Sequence, residues 1–144
     1  MQSAEHRDKG RRFTPEESLT RSLRPSFRSA ISRAERQVRR DDILHDGTVR
    51  AELLRELCMI MAEVYMMDPD KPIRISGEWL DGHVVQQVFS EIEREHVEMV
   101  VSEFYRLTEE IRNKKAYLRT ALYNSVFSIE AHYTNRVNHD LKGN

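Results

Sequence analysis

Few residues in this chain are of types that make or break bonds, and their spacing argues against each familiar chemistry in turn. Six histidines and one cysteine, Cys58, are its nitrogen and sulfur ligands. His132 and His139 are about 10.5 Å apart along a helix axis, whereas ligands of one zinc ion lie within about 4 Å of each other. No His-Glu-x-x-His pattern occurs. His96, within Glu95-His96-Val97-Glu98, reads as a surface residue. Cys58 falls on or beside an apolar helical face, where a thiol is an inert small hydrophobe. A lone cysteine excludes an internal disulfide framework and a multi-cysteine zinc site, and suits a reducing compartment. Glu91, Glu93, Glu95, Glu98 and Glu103 read most simply as a solvated face, with catalytic carboxylates the lesser alternative. Five glycines are too few for a glycine-rich phosphate loop. The expectation is a non-enzymatic protein without metal or cofactor.

One cluster conflicts with its own local structure. A helix beginning near Asn113 opens on Lys114 and Lys115 and follows Arg112, although cations at a helix N-terminus oppose the macrodipole. Arg112, Lys115 and Arg119 fall at i, i+3 and i+7 and share a stripe. A helix N-terminus with four cations suits a phosphate group or acidic side chains. Pairing with the preceding Glu109 and Glu110 is the plainer alternative. Tyr117 and Tyr123 read first as core and second as platforms for base stacking.

The elements that must carry these residues are mostly helical. Thr14-Pro15-Glu16-Glu17 is a helix start, and Pro25 stops or bends that helix. From Ser26, Phe27, Ile31, Ala34 and Val38 recur at helical spacing and predict a helix to about Leu44. Asp46-Gly47-Thr48 is a turn and cap. From Thr48 to about Met67, Val49, Leu53, Leu54, Leu57, Ile60, Met61, Val64 and Tyr65 form one apolar stripe. Met59, Met61, Met66 and Met67 fill core gaps or, as the sharper alternative, offer an adaptable surface.

Asp68-Pro69-Asp70-Lys71-Pro72 ends that helix, and Ile73-Arg74-Ile75-Ser76-Gly77 alternates like a short strand. It is half of a small hairpin or an extended loop. Val84, Val85, Val88, Phe89 and Ile92 predict the next helix, and Ser90-Glu91-Ile92-Glu93 a capping box for the one after. There Val97, Val100, Val101, Phe104, Leu107 and Ile111 keep the period. Asn113 caps a helix bearing Tyr117, Leu118, Ala121 and Leu122, and Ser128 caps a last one bearing Ile129, Tyr133, Val137 and Leu141. The fold class is all-α, with five to seven helices and a short hairpin or extended segment near 73–80.

The 144 residues amount to one domain, 33% charged and with a formal net charge of only −1. That value is a cancellation. Residues 1–40 hold 11 Lys/Arg against 5 Asp/Glu, a net of +6, and residues 41–144 hold 12 against 19, a net of −7. Residues 1–26 therefore read as a basic, largely disordered leader with a short helix from about residue 15, and residues 27–144 as the folded domain. Arg11, Arg12, Arg21, Arg24 and Arg28 are its candidate DNA contacts. No apolar run suits a membrane span or a secretory signal.

The stretch from Ile111 to Asn124, with Arg112-Asn113-Lys114-Lys115-Ala116-Tyr117-Leu118-Arg119 at its start, is followed by Ile129, Tyr133 and Val137-Asn138-His139-Asp140. Together these resemble the C-terminal domain of RepA-type replication initiators of bacterial plasmids and integrative elements. Ile73-Arg74-Ile75-Ser76-Gly77, Val84-Val85, Phe89 and His96-Val97 extend the resemblance upstream, as does Ile31 through Leu44, so that it spans roughly residues 27–141. It implies a cytoplasmic, non-enzymatic role in replication initiation. In such proteins a winged-helix domain binds the origin, and the C-terminal domain, similar to the helical domain of DnaD-type primosome proteins, contacts the host replication machinery. Two departures stand out. The basic leader occupies the place of the winged helix, which suggests a fragment, a truncated initiator or a standalone accessory. The Tyr-x-x-x-Ile-x-x-x-Trp motif of DnaD-type domains becomes Tyr117, Ala121 and Ser125 here.

The sequence thus predicts an adaptor domain of a mobile-element replication initiator, with primase or helicase-loading proteins as partners. Its candidate partner- or phosphate-binding residues are Arg112, Lys114, Lys115, Tyr117 and Arg119. Asn138, His139 and Asp140 form a second patch that could equally be structural. The alternative function is a non-specific DNA-binding module using the arginine-rich leader and the Lys114/Lys115 stripe. Neither reading fixes an oligomeric state.

Overall fold

The computed structural model describes residues 24–142, with side chains as far as residue 128. The elements are α1 (Pro25–Gln37), α2 (Arg40–Asp46), α3 (Ala51–Met66), β1 (Ile73–Ile75), β2 (Glu78–Leu80), α4 (Gly82–Ser90), α5 (Arg94–Arg106) and α6 (Lys114–Lys142). The described residues therefore form an all-α fold of six helices with one two-stranded antiparallel hairpin. The helix expected from Thr14 lies outside them.

Helix α3 is the centre because its apolar stripe is broad enough to touch neighbours on several sides. Leu53, Leu54, Leu57, Cys58, Ile60, Met61, Ala62 and Val64 are all buried. Against it pack α1, α4 and α6, while α5 packs on α6; Ala34 of α1, Val85 and Phe89 of α4, Val97 and Val100 of α5, and Leu118 and Leu122 of α6 join the α3 stripe in one buried cluster. Met61 is fully buried and Met59 and Met67 are half-buried, so the methionines mainly fill gaps; Met66 alone of the four is exposed.

The helix expected from Ser26 to Leu44 is broken in two. Val38 and Ile43 are both fully buried, yet five residues of straight helix would turn them about 140° apart. Arg39 resolves the conflict by adopting the left-handed conformation, with φ 58°. That turn restarts the chain as α2 and swings Ile43 into the core. Gly47, at φ 73°, then closes α2. Helix α3 begins at Ala51, after Arg50 as N-cap, rather than at Thr48.

The hairpin pairs Ile73 with Leu80, Arg74 with Trp79, and Ile75 with Glu78. Its two-residue turn, Ser76-Gly77, has positive φ at both positions, the geometry that matches strand twist in tight hairpins. Ile73 and Ile75 face the core. The Ser76 N–H donates to Thr120 Oγ1 at 3.0 Å and ties the turn to α6.

Two glutamines hold helix C-termini from neighbouring helices. Gln86 Nε2 of α4 donates to the carbonyls of Val64 and Met67 at 3.0 and 2.9 Å, at the end of α3. Gln37 Nε2 of α1 donates to the carbonyls of Phe89 and Ile92, both at 2.8 Å, at the end of α4. The last carbonyls of a helix lack the usual i+4 partner; those of Val64 and Phe89 otherwise accept from the Met67 and Ile92 N–H groups at 3.2 Å.

Two expected caps and one helix end turn out differently. The capping arrangement before α5 uses Glu93 and His96 rather than Ser90 and Glu93, with the Glu93 N–H donating to His96 Nδ1 at 2.8 Å. His96 is consequently buried, not a surface residue. Helix α5 stops at Arg106, so Leu107 and Ile111 belong to the loop after it. No break occurs at Ser128, because α6 runs continuously from Lys114 to Lys142. Asn113 behaves as expected: its Oδ1 accepts from the Ala116 N–H at 3.0 Å.

Candidate functional site

The cationic cluster sits where α6 begins, and α3 decides its geometry. The Asn113 cap starts α6, Leu118 and Leu122 anchor its inner face, and helical periodicity then turns Lys115 and Arg119 toward α3. Lys114 Nζ meets Glu56 Oε1 at 2.9 Å. Lys115 Nζ meets Glu63 Oε2 at 2.5 Å, and the Arg119 guanidinium approaches Glu63 Oε1 at 3.6 Å. The local alternative, pairing with Glu109 and Glu110, is not what forms. The partners are two α3 carboxylates about two helical turns apart, which the sequence shows only as the polar face of an amphipathic helix.

These pairs explain how α6 can open on cations. The unfavourable interaction with its N-terminal dipole, about 0.3–1 kcal/mol per charge, is offset by carboxylates that α3 holds alongside. Lys114, Lys115 and Arg112 remain exposed, whereas Arg119 is mostly buried and acts structurally. Arg112 has no ion pair with another described residue. Tyr117 is half-buried, and its ring centre lies 6.3 Å from that of Phe104 in a tilted contact.

Beside the cations lies an apolar groove of about 360 Å³, lined by Phe104, Tyr105, Leu107, Glu109, Ile111 and Lys114. Tyr105 and Leu107 are 41% and 42% exposed. The Tyr105 hydroxyl accepts the Arg50 N–H at 3.1 Å, and the Arg50 guanidinium stands 5.2 Å from the ring centre, so that wall is fixed from two sides. Lys114 stands 5.4 Å over the Phe104 ring and joins the cationic rim to the apolar floor.

Other expected residues distribute differently. Cys58 is buried, and loss of hydration pushes its thiol up to about 12, which favours the protonated form. Burial likewise raises the Tyr65 phenol above its ordinary range, and its hydroxyl donates to Gln37 Oε1 at 2.5 Å. Among the described residues no cluster of His, Cys, Asp and Glu could hold a metal ion. Asn138, His139 and Asp140 lie on α6, with side chains outside the described set.

The basic region is not where the sequence suggested. Arg11, Arg12 and Arg21 lie outside the described residues, but Arg24 is the N-cap of α1 and Arg28 lies within that helix. Residues 24–40 contain six arginines and one acid, Glu35, whereas residues 1–23 contain five cations and four acids. Nearly all the basic excess therefore belongs to α1 and the start of α2, which are folded onto the core.

A family model matches residues 17–144, and so takes in every element described above. The chain belongs to the family of unknown function DUF6017. No curated protein and no solved structure matches it. Among the described residues no helix is long and apolar enough to cross a membrane.

Proposed function

We propose that this domain is a non-enzymatic adaptor in replication initiation by a mobile genetic element, and that it binds a primase or helicase-loading protein in the cytoplasm through the start of α6. The observation that carries the docking site is the meeting of exposed Lys114, Lys115 and Arg112 with the groove of Tyr105, Leu107 and Ile111. The assignment to replication rests on the resemblance to RepA-type initiators. That resemblance divides into physical roles: Asn113 caps α6, Leu118 and Leu122 pack in the core, and Arg112, Lys114 and Lys115 face solvent. A partner suited to this surface presents carboxylates around one or two apolar side chains.

The test is direct titration of purified bacterial primase and helicase-loading protein into the intact chain. Binding of either protein that is weakened at least tenfold by Leu107→Asp, with helical content unchanged, supports the reading. Failure of both to bind at low salt contradicts it.

A further inference from the structure

We infer that the solvent face of α1 is a docking surface for the phosphate backbone of double-stranded DNA. Ala30, Ile31 and Ala34 turn one side of α1 into the protein. The other side presents Arg24, Arg28, Ser29, Ser32, Arg33 and Arg36, all exposed. Arg24, Arg28 and Arg36 make no ion pair with any other described residue. Glu35 is the only acid in the helix, and the Arg40 guanidinium, 3.3 Å away, engages it. This face differs from the α6 site, where Lys114, Lys115 and Arg119 already have carboxylate partners.

The spacing identifies the ligand class. Arg24, Arg28, Ser32 and Arg36 follow one another at intervals of four residues, so the row extends about 18 Å along the helix. Each strand of a DNA duplex carries a phosphate for about every 3.4 Å of duplex axis, so a row of this length reaches several phosphates. Guanidinium groups take phosphate oxygens bidentately, and serine hydroxyls donate to them. The short serines between the arginines leave room for a bulky backbone to approach the helix. No aromatic side chain lies on this face, so it lacks the stacking platforms with which proteins hold single strands. At its C-terminal end Arg36 lines an open cleft of about 470 Å³ with Arg39, Arg40 and Asp42, where Arg39 holds Asp42 at 2.7 Å.

The choice of DNA over an RNA duplex rests on the replication reading, whereas the phosphate-binding face itself does not. The experiment is fluorescence anisotropy of labelled DNA and RNA duplexes with the full chain over a range of salt concentrations. Three phosphates neutralised by Arg24, Arg28 and Arg36 predict a slope of log K against log salt of about −2.7. Arg28→Gln with Arg36→Gln is expected to reduce its magnitude by about 1.8 and to weaken binding at least tenfold at low salt. Ser32→Glu, one added charge on the same face, should weaken binding as well and serves if the double variant misfolds. Absence of binding at low salt, or unchanged affinity in both variants, overturns the phosphate-binding face. Tighter binding of the RNA duplex overturns the assignment to DNA and counts against the replication reading. Competition by oligoglutamate as effective as that by unlabelled DNA overturns the choice of nucleic acid over an acidic protein.

Discussion

Glu63 of α3 receives two cations from α6, Lys115 Nζ at 2.5 Å and the Arg119 guanidinium at 3.6 Å. The Lys115 contact lies toward solvent and contributes little alone, because exposed ion pairs typically give under about 1 kcal/mol. Arg119 is different, since its side chain is only 19% exposed. Glu63→Gln would leave that guanidinium without its carboxylate. The expected loss of stability is about 1–2 kcal/mol, checked by urea unfolding. Glu56→Gln, which breaks the pair with the exposed Lys114, should lose under about 0.5 kcal/mol.

The α1–α4 junction depends on Gln37 in the same way. Its amide nitrogen caps the carbonyls of Phe89 and Ile92, and its oxygen accepts from the Tyr65 hydroxyl at 2.5 Å. Arg33 covers the Tyr65 ring at 3.9 Å. Gln37→Ala should destabilise by about 2 kcal/mol and Tyr65→Phe by about 1. Because the two share one hydrogen bond, the double variant should lose less than the sum, as a thermodynamic cycle would measure.

Gly82 has a packing reason to be glycine. A Cβ built there would lie 2.6 Å from the Pro69 carbonyl oxygen and press on that of Lys71. Both obstacles are backbone, which cannot rotate aside as a side chain can. Gly82→Ala is expected to lose about 1–3 kcal/mol, visible as a lower melting temperature, despite alanine's better helix propensity.

Cys58 supplies a pH dependence of known sign. Its thiol is pushed up to about 12 in the fold, chiefly by burial, from an ordinary 9.0. Above pH 9 the unfolded chain gives up that proton while the folded chain keeps it, so stability falls as pH rises from about 9 toward 12. Below pH 9 the contribution is complete and flat. Cys58→Val should reduce this alkaline decline, as thermal melts between pH 7 and pH 11 would show. The thiol should also resist a thiol reagent at pH 8 until the protein unfolds.

Much of the fold could be read from apolar spacing because its helices are amphipathic and its hairpin alternates. The α3 stripe, the Ile73–Ile75 strand and the Asn113 cap are of this kind. The break at Arg39 was not visible, because Val38 and Ile43 each suit a helix and only their joint burial forbids one straight helix. His96 escaped notice because acidic neighbours made it look exposed, although its ring is the cap of α5. For the candidate site, the conflict between Lys114, Lys115 and the helix dipole pointed to the start of α6, where the ion pairs with α3 form. Its resolution lay about 50 to 60 residues upstream, at Glu56 and Glu63, and sequence spacing within one helix gives no sign of a pairing between two. The groove beside it was hidden for a simpler reason: Leu107 and Ile111 continue a helical period but lie beyond the end of α5.

Lys114→Glu combined with Glu56→Lys separates docking from packing most directly. The exchange restores the α3–α6 ion pair with reversed polarity and places an acid at the first position of α6, where the dipole favours it. The measurement is affinity for whichever of primase and helicase loader the intact chain binds, alongside the unfolding midpoint. If the start of α6 is the docking face, the midpoint is retained or slightly raised while affinity falls at least tenfold. Unchanged affinity in a fully folded exchange variant would contradict it.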